Sequence, residues 1–196
     1  EDNVAAQLAG CDGIIVPGGF GDRGIEGMIT TAKYCREHDI PYLGICLGMQ
    51  IAVIEFARHV CGLADANSGE FSKTSEHKII DFLPDQSETI DKGATLRLGA
   101  YPCHILPGTR MHECYGCDEI RERHRHRYEF NNDYREMLTD AGMTLCGQSP
   151  DGHIVEAVEL SDHRFFVGVQ FHPEFKSRPN RAHPLFKALV ESSLKK

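Results

Sequence analysis

Cys46 stands between two glycines in Gly44-Ile45-Cys46-Leu47-Gly48, directly after the apolar run Ile40-Pro41-Tyr42-Leu43. A nucleophile presented on a sharp strand-to-helix turn needs small residues on either side, because the two backbone segments pass close to one another there. Beyond the turn, apolar residues recur at Leu47, Ile51, Ile54 and Ala57, the spacing of one helix face. The thiol is therefore expected at the start of a helix, where the helix dipole favours thiolate and lowers the pKa from about 8.5. The competing reading is an unreactive core cysteine.

A thiol that attacks an amide needs a base, and the base needs a third group to fix its tautomer. Val169-Gln170-Phe171-His172-Pro173-Glu174-Phe175 contains both. The proline biases His172 toward an extended conformation, and residues two apart in an extended chain project to the same side, so Glu174 is placed to orient the imidazole. Taken singly, His172 reads as a hydrogen-bonded surface histidine and Glu174 as a solvated charge. With Cys46 they complete a nucleophile, base and orienter. A third segment, Ile14-Ile15-Val16-Pro17-Gly18-Gly19-Phe20-Gly21, runs from an apolar strand into a glycine-rich turn. Uncovered backbone N–H groups suit an oxyanion, and the N–H groups of Gly19 and Leu47 are the expected donors. Phosphate cradling is the weaker alternative for this turn.

In this order the three segments resemble the class I, or triad, glutamine amidotransferases, which release ammonia from glutamine through a cysteinyl thioester. Asn67-Ser68-Gly69-Glu70-Phe71, Ala94-Thr95-Leu96-Arg97-Leu98-Gly99 and above all Glu122-Arg123-His124-Arg125-His126-Arg127-Tyr128-Glu129 narrow the resemblance to the glutaminase domains of CTP synthases, from about Gly13 to Leu189. The resemblance implies an α/β fold of the class I glutamine amidotransferase type, with a largely parallel central sheet flanked by helices. It implies catalytic roles for Cys46, His172 and Glu174, and a glutamine substrate held by Gly19, Gln50, Glu70 and Arg127. Free glutamine carries a carboxylate and an ammonium, which Arg127 and Glu70 respectively suit.

The resemblance also implies no cofactor within residues 1–196, which read as one glutaminase domain. A synthetase domain would lie upstream, using ATP and Mg to aminate UTP to CTP, with GTP as an effector and a homo-oligomer at full length. The chain opens without methionine and without the first strand of such domains, and so reads as a fragment. Two other readings stand beside this one: a cysteine hydrolase of related fold acting on peptide or γ-glutamyl bonds, and a noncatalytic regulatory module.

Composition sets the frame. With 196 residues and 41% hydrophobic content, one domain with a full core is expected. No apolar run approaches the roughly 20 residues that span a bilayer, and Glu1-Asp2-Asn3 does not open a signal peptide, so no membrane partner is expected. Eight cysteines without a framework spacing suit a reducing compartment, and the expectation is free thiols and a cytoplasmic location. The net charge of −8 argues against broad nucleic-acid binding.

One dense basic run, Arg121 to Arg127, reads as a strand with arginines on one face and Glu122, His124, His126 and Tyr128 on the other, as in a solvated edge strand. Cys103, His104, His112, Cys114 and Cys117 crowd one region, but a lone C-x-x-C is weak support for zinc, and no metal is expected.

Periodicity places helices over Gly24 to Glu37, Leu47 to Val60, Asn132 to Ala141 and Pro184 to Leu194. Strands are expected over Gly13 to Val16, Tyr42 to Ile45, Lys78 to Phe82, Thr95 to Leu98, Glu122 to Phe130, Ile154 to Glu159 and Phe165 to Gln170. Ser72 to Lys92, polar and acidic around one short strand, is the expected loop or lid.

Overall fold

A computed structural model describes residues 2–82 and 96–194. Ala94, the expected strand start at Thr95, and residues 83–92 of the expected lid lie outside the described residues.

A short helix α1 (Asp2–Leu8) precedes β1 (Ile14–Val16), which leads through the glycine-rich turn into α2 (Ile25–Glu37). β2 (Tyr42–Ile45) is buried throughout and passes directly into α3 (Leu47–His59), whose residues from Leu47 to Ala57 are all buried. Two short strands follow, β3 (Asn67–Ser68) and β4 (Lys78–Asp81). Then come β5 (Arg97–Ile105), α4 (Arg110–Tyr115), β6 (Glu119–His126) and β7 (Glu129–Phe130). The expected helix from Asn132 divides into a 3-10 turn, Asn132–Tyr134, and α5 (Arg135–Asp140). The chain ends with β8 (Met143–Gln148), β9 (Val155–Leu160), β10 (Phe166–Val169) and α6 (Pro184–Leu194).

The central sheet has the order β1-β2-β10-β9-β8-β5-β6. Helices flank it as expected, but it is mixed rather than largely parallel. Only β1 with β2 and β2 with β10 run parallel, while β10–β9, β9–β8, β8–β5 and β5–β6 are antiparallel. The connection explains the direction: β1 reaches β2 through a helical crossover, which permits parallel neighbours, whereas β8, β9 and β10 follow one another through short turns that force reversal.

Strands β2 and β10 are covered on both faces. Tyr42 and Phe166 pack with Met49 and Ile51 on the α2–α3 side, and Leu43 and Val167 pack with Leu185 and Leu189 on the α6 side. Such double cover is why these strands read as continuous apolar runs.

The expected single strand from Glu122 to Phe130 breaks at Arg127. β6 forms the edge of the central sheet, and β7 joins a small sheet of order β3-β4-β7. That break turns Arg127 and Tyr128 toward the end of β2, where Cys46 lies. The other face of β6 is also not solvated as expected, because Glu122, His124 and His126 are buried while Arg121, Arg123 and Arg125 are exposed.

Candidate active site

Cys46 caps the start of α3 with φ 52° and ψ −101°, a positive φ that a non-glycine residue adopts at a cost of about 1–3 kcal/mol. The flanking glycines make this turn possible by close approach. A Cβ on Gly44 would stand 2.5 Å from the Gly48 carbonyl carbon, and one on Gly48 would collide with the carbonyl oxygen of Val16. The Cys46 N–H donates to the Val169 carbonyl at 2.7 Å, which ties the turn to β10.

The sequence leads one to expect a lowered thiol pKa, and the structure reverses this. Burial pushes the Cys46 thiol up to about 12, with the carboxylates of Glu174, Glu70 and Glu129 acting in the same sense against the Leu47 N–H. Cys46 is 4% exposed, and desolvation of a thiolate outweighs the pull of one helix end.

His172 and Glu174 meet as the sequence suggests. His172 Nδ1 lies 2.6 Å from Glu174 Oε1, at the start of a 3-10 turn, Pro173–Phe175. The His172 N–H donates to the Arg123 carbonyl of β6 at 2.8 Å, and the ring stacks on Phe175 at a centroid distance of 5.0 Å. With Nδ1–H donating to Glu174, Nε2 carries the lone pair, and it is buried with no hydrogen-bond partner among the described residues. A Cβ on Gly18 would stand close to both His172 Cε1 and Cys46 Cβ, so the glycine-rich turn runs beside both residues.

A cavity of about 350 Å³ opens over the sulfur. It gathers Gly19, Cys46, Gln50, Glu70 and Arg127 from separate segments of the chain. A Cβ on Gly19 would touch Leu47 Cδ2 at 3.0 Å, so the two expected oxyanion donors are neighbours. Glu70 follows β3, where its backbone N–H donates to the Ser68 hydroxyl at 3.1 Å. Burial pushes its carboxyl upward, against the Gly21 N–H and the Arg127 guanidinium.

Sequence reading missed several participants. Phe20, Arg125, His126 and Tyr128 also line the cavity, and Arg125 lies 5.7 Å from the centroid of the Phe20 ring. Gln170, fully buried, reaches Cys46 Sγ with its amide nitrogen at 3.6 Å. It sits in the His-Pro-Glu segment, and its position two residues before His172 is the signal that was available.

Beneath the cavity lies a buried polar layer. Arg97 pairs with Glu156 at 2.8 Å and with Glu129 at 3.4 Å. His126 Nδ1 lies 3.2 Å from the Tyr128 carbonyl, and His124 Nδ1 lies 2.9 Å from His126 Nε2. A carbonyl can only accept, so His126 donates from Nδ1 and accepts from His124 at Nε2. Burial with the nearby Arg97 charge holds both imidazoles far below their ordinary pKa, in the neutral form.

Gly19 to Gly24 follows the spacing G-x-G-x-x-G between a strand and a helix, but Asp22 and Glu26 line a second, separate cavity at that helix start and would repel phosphate. Among the described residues, no group of three His, Cys, Asp or Glu side chains is arranged to hold a metal ion.

The family profile for glutamine amidotransferase class-I matches residues 1–192. The chain belongs to the class-I glutamine amidotransferases. Within them it stands with the CTP synthase glutaminase domains, an enzymatic group. It is 60% identical over 195 residues to a CTP synthase of Carboxydothermus hydrogenoformans and 62% identical over 190 residues to one of Moorella thermoacetica. These matches cover 100% and 97% of the chain but 36% and 35% of the relatives, so it spans about a third of their length. Among solved structures, the Trypanosoma brucei CTPS glutaminase domain with bound acivicin superposes with a TM-score of 0.94 at 41% identity, covering 100% of this chain and 75% of that one. A glutamine amidotransferase of Thermotoga maritima shares the fold at a TM-score of 0.55 and 15% identity, covering 93% of this chain and 78% of that one. Among the described residues, no helix of this amidotransferase domain is long and apolar enough to cross a membrane.

Proposed function

We propose that the chain hydrolyses L-glutamine to glutamate and ammonia through a cysteinyl thioester on Cys46, as the glutaminase portion of a CTP synthase. The observation that carries the reading is the state of His172. Its Nδ1 is engaged by Glu174, while its buried Nε2 has no partner among the described residues and is free to take a proton.

In this mechanism the Cys46 proton passes to His172 Nε2 as the sulfur attacks the side-chain amide carbon. The oxyanion of the tetrahedral intermediate faces the N–H groups of Gly19 and Leu47. His172 then gives its proton to the departing nitrogen, which leaves as ammonia, and the thioester forms. Water adds to the thioester carbonyl, losing a proton to His172, and glutamate departs as that proton returns to the sulfur. Glu174 keeps the imidazole in the tautomer that each transfer needs. Arg127 holds the substrate carboxylate and Glu70 the ammonium, with Gln50 and Gly19 completing the wall that holds glutamine.

In the longer chain the ammonia serves ATP- and Mg-dependent amination of UTP to CTP in a synthetase domain, with GTP as effector, in a cytoplasmic homo-oligomer. The length of the relatives supports a further domain of that kind.

The test is peptide mapping after exposure to 6-diazo-5-oxo-norleucine, a reactive glutamine mimic, with and without excess glutamine. A single adduct on Cys46 that glutamine suppresses is expected, together with loss of about 100-fold or more in kcat for Cys46→Ser. A Cys46→Ser protein with undiminished glutaminase activity overturns the scheme.

A further inference from the structure

Three amide and carbonyl groups link the wall of the cavity to the nucleophile. The Gln50 amide nitrogen lies 3.3 Å from the Tyr128 carbonyl and 3.3 Å from Gln170 Oε1, and the Gln170 amide nitrogen lies 3.6 Å from Cys46 Sγ. The polarity of this chain is fixed by its first member. A backbone carbonyl only accepts, so the end of Gln50 facing Tyr128 must be its NH2 group. That NH2 group also faces Gln170, which must therefore turn its oxygen toward Gln50. Its own NH2 group is left to face the sulfur. Gln50 and Gln170 are 3% and 0% exposed, so water does not compete for these contacts.

We propose that Gln170 is part of the catalytic machinery: held by Gln50, its amide donates a hydrogen bond to Cys46 Sγ that aims the sulfur and stabilises its anion. The inference rests on the glutaminase reading for its role in turnover, but the contact itself concerns Cys46 alone. The chemical need is plain. Glu70, Glu129 and Glu174 all act on the sulfur against ionisation, and donors must offset them when the thiolate forms. The Leu47 N–H is one such donor, and the Gln170 amide comes from the opposite element, β10 and its continuation. Hydrogen bonds to a charged group are stronger than those to a neutral one, so the contact strengthens as the proton leaves. The relay also joins two ends of the cavity. Tyr128, whose carbonyl anchors Gln50, adjoins Arg127, so displacement of the Arg127 segment loosens the amide that faces the sulfur.

The experiment compares wild type, Gln170→Met and Gln50→Met in the protein at its natural full length. Iodoacetamide alkylation of Cys46, read by peptide mass without glutamine present, is followed against pH beside thermal midpoint and steady-state glutaminase kinetics. Loss of one charge-assisted hydrogen bond corresponds to about tenfold slower alkylation, a displacement of the pH profile by about one unit. For Gln170→Met that displacement is expected, with kcat reduced about tenfold and the glutamine KM within about twofold of wild type. An unchanged alkylation profile in a folded Gln170→Met protein overturns the proposal, whatever happens to the thermal midpoint. If Gln170→Met does not fold, Gln50→Met decides: a displaced profile supports the relay, and an unchanged one overturns it. Wild-type protein that alkylates at Cys46 but turns over no glutamine overturns the glutaminase reading instead, and leaves the profile comparison standing.

Discussion

Gly18 lies against the ring of His172, and a Cβ built on it would stand 2.8 Å from His172 Cε1 and 3.6 Å from Cys46 Cβ. A methyl group there must push the imidazole away from the sulfur or tilt it. Gly18→Ala is therefore expected to reduce kcat by about 100-fold, the effect of a displacement near 1 Å in a reacting pair. Steady-state kinetics beside a thermal melt check this. A variant that melts as wild type does and keeps full kcat would show that the ring is free to move.

Arg127 is the cationic member of the proposed glutamine-binding set, and a fork-shaped guanidinium matches a carboxylate better than an ammonium does. Arg127→Lys is expected to raise the glutamine KM by about tenfold or more while kcat changes little, because binding in ground and transition states is lost alike. A KM within experimental error of wild type would remove Arg127 from that role.

Arg97 pairs with two buried carboxylates, Glu129 and Glu156, both of which burial pushes toward the neutral form. Arg97→Met leaves them facing one another without a cation. Breaking such a buried pair by removing one partner costs about 3–5 kcal/mol, and urea denaturation at pH 7 is the measurement. Restoration of most of that loss by adding Glu156→Gln is expected, since it removes one of the stranded charges.

His124 and His126 give the stability a pH dependence. Their folded pKa values are depressed to about 2 and about 3, while an unfolded histidine titrates near its ordinary value of 6.5. Between these values the unfolded chain binds protons that the folded chain does not, so stability is present above pH 6.5 and is lost as pH falls toward 3. Histidine resonances of the folded protein should show these two rings neutral at pH 5. Protonation of His126 in the folded state at that pH would contradict the buried donor chain that ends on the Tyr128 carbonyl, because its Nε2 could no longer accept from His124.

The elbow at Cys46 and the pair of His172 with Glu174 were legible because each is local: glycines on either side of a thiol, and two side chains two residues apart beside a proline. Sheet direction was not. β8, β9 and β10 read as strands or as nothing in particular, and only their short connections, which act through chain reversal, make the sheet mixed.

The buried layer under the cavity was hidden for a different reason. In β6 both faces are polar, so alternation alone does not say which one turns inward. The inward face is tolerated because His124 and His126 bond to one another and to the Tyr128 carbonyl, while Glu122 meets Tyr115, Lys176 and His183. The reversal of the Cys46 pKa has the same origin. A helix start is visible in sequence, whereas the carboxylates gathered around the sulfur come from residues as distant as Glu70 and Glu174.

The burial of Cys46 also bears on how the resting protein meets oxidants. Peroxide consumes thiolates, and the burial that pushes ionisation of the Cys46 thiol upward disfavours that form. Cys11 and Cys117, both exposed, stand in the path of such reagents first. Cys46, 4% exposed and opposed in its ionisation by burial, thus meets such reagents more slowly than these exposed thiols, and in the proposed cycle the same desolvation that hinders its ionisation shields it between turnovers.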